Sequence, residues 1–185
     1  MRISIFLFIL LFCPILSWGE LRPHHSINGI DLLSSQKVDF QLNGTFKASV
    51  MVFVSARCPC SASHEIALSE LFNTFSKQGF QFIGIHSNTD ESIEITKSHF
   101  EKSAIPFSVI QDDRAKIADD WGALKTPHVF VVSPHGEILY QGGVDDSHSY
   151  RDSKKAYLRE ALLAIQEGKK PEIALTRSLG CVIKR

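Results

Sequence analysis

Residues Ala48 to Val54 read Ala-Ser-Val-Met-Val-Phe-Val, a nearly continuous apolar run of strand length that suits the middle of a sheet covered on both faces. A sheet covered on both faces needs helices above and below it, so this segment argues for a layered α/β chain. Immediately beyond it lies Cys58-Pro59-Cys60-Ser61. The strand therefore delivers two cysteines onto the first turn of the helix that follows. A helix N-terminus offers unpaired amides and roughly half a positive charge, which favour the thiolate, and Arg57 adds a full charge next door.

The rest of the chain keeps the same rhythm. From Ser61 to Gln78, Ala67, Leu68, Leu71, Phe72 and Phe75 recur at helical spacing, and Gly79 stands where a helix stops. Phe80 to Ile85 reads as a strand, and Thr89-Asp-Glu-Ser opens a helix running to about Lys102. Phe107 to Ile110 is a short strand and Asp112 to Trp121 a short helix closed by Gly122. Val129 to Val132 begins just after Thr126-Pro127 and turns through Pro134-His135-Gly136 into a partner strand, Ile138 to Gln141. Lys154 to Glu167 forms the last helix, and a tail ends in Gly180-Cys181-Val182-Ile183-Lys184-Arg185. Residues 20 to 46 are polar and irregular, with turn signals at Asn28-Gly29 and Asn43-Gly44 and a short strand at Val38 to Leu42. The expected architecture is a mostly parallel sheet with helices on both faces and an antiparallel edge hairpin.

Met1-Arg2, the apolar stretch Ile3 to Leu16 and the small-residue ending Ser17-Trp18-Gly19 predict a secretory signal peptide over residues 1–19. The apolar stretch, about 14 residues, falls short of the roughly 18 to 20 that span a bilayer. Cys13 would leave with the signal. Residues 20–185 then form one domain, exported to the periplasm or secreted, with Cys58, Cys60 and Cys181 as its thiols. An odd number of exported cysteines cannot all enter internal disulfides, which disfavours a purely structural framework. A formal net charge of +0 without a basic stripe gives no reason to expect a nucleic-acid partner.

The element order, with Cys58 directly after the buried strand and Thr126-Pro127 before the hairpin, resembles the thioredoxin fold over roughly residues 35–168. The chain is most similar to the exported redoxins, the thioredoxin-like and peroxiredoxin-like proteins. It resembles those with the same Cys-Pro-Cys segment, a Thr-Pro-His-Val-Phe-Val run and a Gly-Cys tail. The resemblance implies that Pro127 is a cis-proline placed beside Cys58, since only an X-Pro bond takes the cis form cheaply. The chain also departs from these families. Thioredoxins carry a second cysteine three residues after the first, where this chain has Ser61. Peroxiredoxins carry Pro-X-X-X-Thr-X-X-Cys, and the residues Val52 to Arg57 contain neither the proline nor the threonine. Peroxide reduction is therefore disfavoured.

The chemistry expected is thiol-disulfide exchange with protein or small-molecule partners, needing no cofactor, with Cys58 as nucleophile, Pro127 beside it, and Cys60 or Cys181 as resolving thiol. A Cys58-Cys60 disulfide would close a very small, strained ring, which tilts the choice slightly toward Cys181. The main alternative is a copper or zinc metallochaperone using Cys58, Cys60 and a histidine, drawn from His64, His86 or His128. Against ligation, His64 reads as a partly exposed helix residue packing on Leu68, and His86 and His128 as strand-end residues with satisfied hydrogen bonds. A third reading is a nonenzymatic binding module on the same scaffold.

Overall fold

The apolar strand Ala48–Val54 is buried at every position, and the rest of the sheet is assembled around it. The computed structural model describes residues 26–185, so the signal peptide expected over residues 1–19 lies outside the described residues. Strand β3 (Ala48–Val54) lies between β4 (Phe80–His86), parallel to it, and β7 (His128–Val132), antiparallel to it. With β1 (Ser26–Asp31), β2 (Lys37–Gln41), β5 (Val109–Gln111) and β8 (Ile138–Gly142), they form one seven-stranded sheet of order β2-β1-β5-β4-β3-β7-β8. The parallel centre is β5-β4-β3. Antiparallel pairing occurs at both ends, through the expected hairpin β7-β8 on one side and through β1 and β2 on the other.

The alternation of β3 sorts its side chains between two cores. Val50, Val52 and Val54 face the layer made by α1 (Pro59–Phe75) and α4 (Tyr157–Gln166), where Leu68, Leu71, Phe75, Leu158 and Leu162 are buried. Met51 and Phe53 face the opposite layer with Phe130, with Ala118 of α3 (Lys116–Trp121), and with Ile183 of the tail. The helix read from Thr89 starts later, as α2 (Ile93–Phe100). Ser92 caps it, accepting from the Ile95 amide at 3.5 Å, while Asp90 and Glu91 stay in the preceding turn.

Strand β1 corrects the reading of residues 20–46 as irregular, and Asn28-Gly29 lies inside it rather than in a turn. Its sequence hides it, because only Ile27 enters the core while Ile30 is half exposed. Gly29 is there for close approach: a Cβ on it would lie 3.1 Å from the Gln111 carbonyl oxygen of β5. The tail departs further from expectation. It forms β9 (Cys181–Val182), which pairs antiparallel with β6 (Lys125–Thr126), setting Thr126 opposite Cys181.

The loop between β3 and α1 is fixed by one buried carboxylate. Glu91 accepts from Ser55 Oγ at 2.5 Å, the Ala56 amide at 2.8 Å, Asn88 Nδ2 at 2.7 Å and His86 Nε2 at 3.0 Å. Ser55 Oγ in turn accepts from the Cys58 amide at 3.1 Å. Burial opposes the charge on Glu91, but the donors from His86, Ser55 and Asn88 outweigh it and bring its pKa from 4.5 to about 2. Between those two values the folded chain binds fewer protons than the unfolded one, so stability rises with pH there and is lost as the pH falls toward 2. Glu91→Gln is expected to flatten that acid limb in chemical denaturation followed from pH 5 to 2, and to cost about 2 kcal/mol at pH 7 by leaving buried donors poorly matched.

Candidate functional site

Cys58 is the N-cap of α1, with Pro59 in the first helical position, where a missing amide costs nothing. Its Sγ accepts from the Ser61 amide at 3.4 Å and donates to the Thr126 carbonyl at 3.1 Å. The peptide bond that follows, Thr126-Pro127, is cis, as the resemblance implies. Cys60 follows in the first turn of α1, and Cys181 arrives from β9. All three cysteines of the described residues are free thiols, and their sulfurs lie within 4.8 Å of one another.

Backbone contact brings the tail so close. A Cβ on Gly180 would lie 1.9 Å from the Thr126 carbonyl oxygen, so no residue but glycine permits this approach without a shift of the chain. The tail is also anchored beyond the cysteine. Ile183 is buried and donates its amide to Leu124 at 3.0 Å, and the Thr89 amide donates to the Lys184 carbonyl at 3.0 Å.

Electrostatics distinguish the three thiols. Burial raises the Cys58 pKa, but hydrogen bonds from Cys181, Thr126 and Ser61 outweigh it, and the net shift favours the thiolate. The Thr126 hydroxyl is buried and has no hydrogen-bond partner among the described residues. Cys60 is raised by burial and by the Cys58 charge beside it. Cys181 is pushed up to about 12 by burial, by its hydrogen bond to Cys58 and by the charges of both neighbours. Of the three thiols, only the one at the helix N-terminus is shifted toward the thiolate.

The histidines weighed as metal ligands are engaged elsewhere. His64 is buried rather than partly exposed. Its Nδ1 donates to the Cys60 carbonyl at 2.7 Å and its Nε2 to Asp145 Oδ1 at 3.1 Å. Both ring nitrogens act as donors, which is the imidazolium pattern. Burial opposes that charge, but Asp145 and the Cys60 carbonyl raise the pKa, with a further contribution from the Cys58 charge. His86 is bound to Glu91, and its Nδ1 lies 3.0 Å from Gln111 Oε1, matching the satisfied strand-end reading. His128 Nδ1 accepts from the Leu124 amide at 3.4 Å, and burial brings its pKa down to about 4. Arg57 is exposed and reaches the Asp90 carbonyl at 3.5 Å, away from the sulfur it was expected to serve.

Four residues at the site were not anticipated as contributors. Glu91 and Ser55 hold the loop, Asp145 holds His64, and His148 places Nδ1 3.6 Å from Cys60 Sγ. Asp145 and His148 belong to a polar loop that reads as a solvated connection, and nothing in its spacing points to α1. The Ser-X-X-Cys and Cys-X-X-Ser spacing around Cys58 was a usable signal for Ser55 and Ser61, because capping partners lie three residues apart.

Comparison with solved structures finds close likeness. An uncharacterized conserved protein from Geobacillus kaustophilus matches with a TM-score of 0.77 and 24% identity, over 86% of this chain and 88% of that one. The thioredoxin domain of a thiol-disulfide oxidoreductase from Bacteroides vulgatus matches with a TM-score of 0.54 and 21% identity, over 63% and 82%. A secreted Mycobacterium tuberculosis disulfide oxidoreductase matches with a TM-score of 0.50 and 17% identity, over 60% and 79%. At these identities the likeness establishes a thioredoxin-like fold. Comparison with curated protein sequences finds no match. Residues 30–141, which run from β1 to β8 and contain Cys58, Cys60 and Pro127, match the AhpC/TSA family, and the chain belongs to that family.

Proposed function

We propose that the protein is a thiol-disulfide oxidoreductase in which Cys58 attacks and Cys181 resolves. The observation that carries this reading is the pairing of Thr126 with Cys181, which presents the tail sulfur to the sulfur of Cys58 beside the cis Thr126-Pro127 bond. In the reducing direction, the Cys58 thiolate attacks one sulfur of a substrate disulfide and the other sulfur leaves as a thiolate. That step removes the charge on Cys58. Burial still opposes ionisation of Cys181, but the hydrogen bond and the repulsion from the Cys58 thiolate fall away, which eases loss of its proton to solvent and its attack on Cys58 Sγ. The second substrate thiol departs, and a Cys58-Cys181 disulfide remains. Closing that bond brings two sulfurs from within 4.8 Å to about 2.05 Å, within the reach of side-chain rotation.

The substrates are disulfides of proteins or small molecules. The leader-like residues 1–19 support work outside the cytoplasm, as does the likeness to a secreted oxidoreductase. No helix among the described residues is long and apolar enough to cross a membrane.

Trapping tests the assignment. A variant carrying Cys60→Ser and Cys181→Ser is expected to form a lasting mixed disulfide with an aromatic disulfide reagent at Cys58, and Cys58→Ser none at that position. A double variant whose remaining thiol stays unmodified under those conditions rules the reading out. Gly180→Ala is expected to leave the first attack intact and to slow resolution by about a hundredfold, the cost of displacing a reacting group by roughly 1 Å. Rapid-quench measurement of the mixed disulfide separates the two steps. His64→Gln removes the buried positive charge near Cys58, so the pH profile of Cys58 alkylation should move to higher pH. An unchanged profile would remove His64 from the site's electrostatics.

A further inference from the structure

Three converging sulfurs offer something that two do not. Cys58, Cys60 and Cys181 place their Sγ atoms within 4.8 Å of one another. Thiolates sharing one metal ion at about 2.3 Å stand roughly 4 Å apart, so small side-chain rotations would bring all three onto one centre. The backbone is already in place, with Cys58 and Cys60 on the first turn of α1 and Cys181 pinned between Gly180 and the buried Ile183.

The number of ligands selects among the ions that thiolates prefer, which include copper(I) and zinc. Structural zinc takes four ligands. Three thiolates in a plane complete the coordination of copper(I). His64 has both ring nitrogens occupied and His128 Nδ1 is taken by the Leu124 amide. His148 Nδ1 lies 3.6 Å from Cys60 Sγ but is not among the atoms that converge with the other two sulfurs.

We propose that the reduced chain binds one copper(I) ion through Cys58, Cys60 and Cys181, the tail supplying the third ligand. On binding, each sulfur forms a bond to copper as a thiolate, any thiol proton passes to solvent, and no electron is transferred. A disulfide between any two of the cysteines removes two ligands, so copper binding and the oxidised state exclude each other. The site rests on the placement of the sulfurs and stands whether or not Cys58 attacks disulfides.

The test is anaerobic titration of the reduced full chain with copper(I) held by bicinchoninate. One ion per chain should leave the chelator, and X-ray absorption should show three sulfur scatterers and no nitrogen. Loss of an outer-shell partner already weakens metal binding 10–100-fold, so Cys181→Ser and Cys60→Ser should each cost at least about a hundredfold. Circular dichroism confirms that each variant is folded, and His148→Ala should bind as the parent does. No uptake by the reduced parent overturns the proposal, as does uptake indifferent to both serine variants. So does a nitrogen scatterer that vanishes in His148→Ala, which would point to a four-ligand zinc-type site. Disulfide exchange by the copper-free parent is measured in parallel, so a failure of the exchange reading is distinguishable from a failure of this one.

Discussion

The thiol site depends on the burial of β3 on both faces. Because Val50, Val52 and Val54 are locked into one core and Met51 and Phe53 into the other, the strand cannot slide or rotate, and its end is fixed in space. Cys58 inherits that fixity as the N-cap of α1, whose inner face packs into the first of those cores. The adjacent strand β7 is held in register with β3, with Phe53 opposite His128, so the residues just before His128 arrive beside Cys58. The Thr126 carbonyl on the Cys58 sulfur follows from that register.

Onto this frame the tail adds a sulfur and covers another. Cys58 is buried to 2% exposure, which alone would raise the pKa of a thiol. Donors arranged around it reverse the outcome, and the tail supplies the strongest of them. The same proximity, added to burial, pushes Cys181 up to about 12, so the two thiols shift in opposite directions. His64 adds a buried positive charge on α1, balanced by Asp145 from the loop after β8. The thiolate is favoured on one sulfur and disfavoured on the two beside it.

Much of this was legible. Buried runs such as Phe80 to Ile85 and periodic runs such as Leu68, Leu71 and Phe75 carry their structure in local pattern, and so did Cys58-Pro59, since cap and first-turn preferences are local. Strand β1 was not legible, because a segment with one core residue and an Asn-Gly pair looks like a turn until β5 and β2 pair with it. Histidine partners were illegible for a related reason. His64 and Asp145 are far apart in sequence, and the spacing of neither residue encodes the other.

By itself the sequence determined the order of the central strands and helices, a cysteine at a helix start, and the absence of a second cysteine at Ser61. These are local properties, set by hydrophobic period, capping preference and residue identity. Only the tertiary structure decided which thiols meet, because that depends on a long-range backbone pairing between β6 and β9 and on the missing Cβ of Gly180. It also decided which thiol is shifted toward the thiolate and which away from it, since burial and hydrogen bonds from distant segments outweigh any property of a cysteine in isolation.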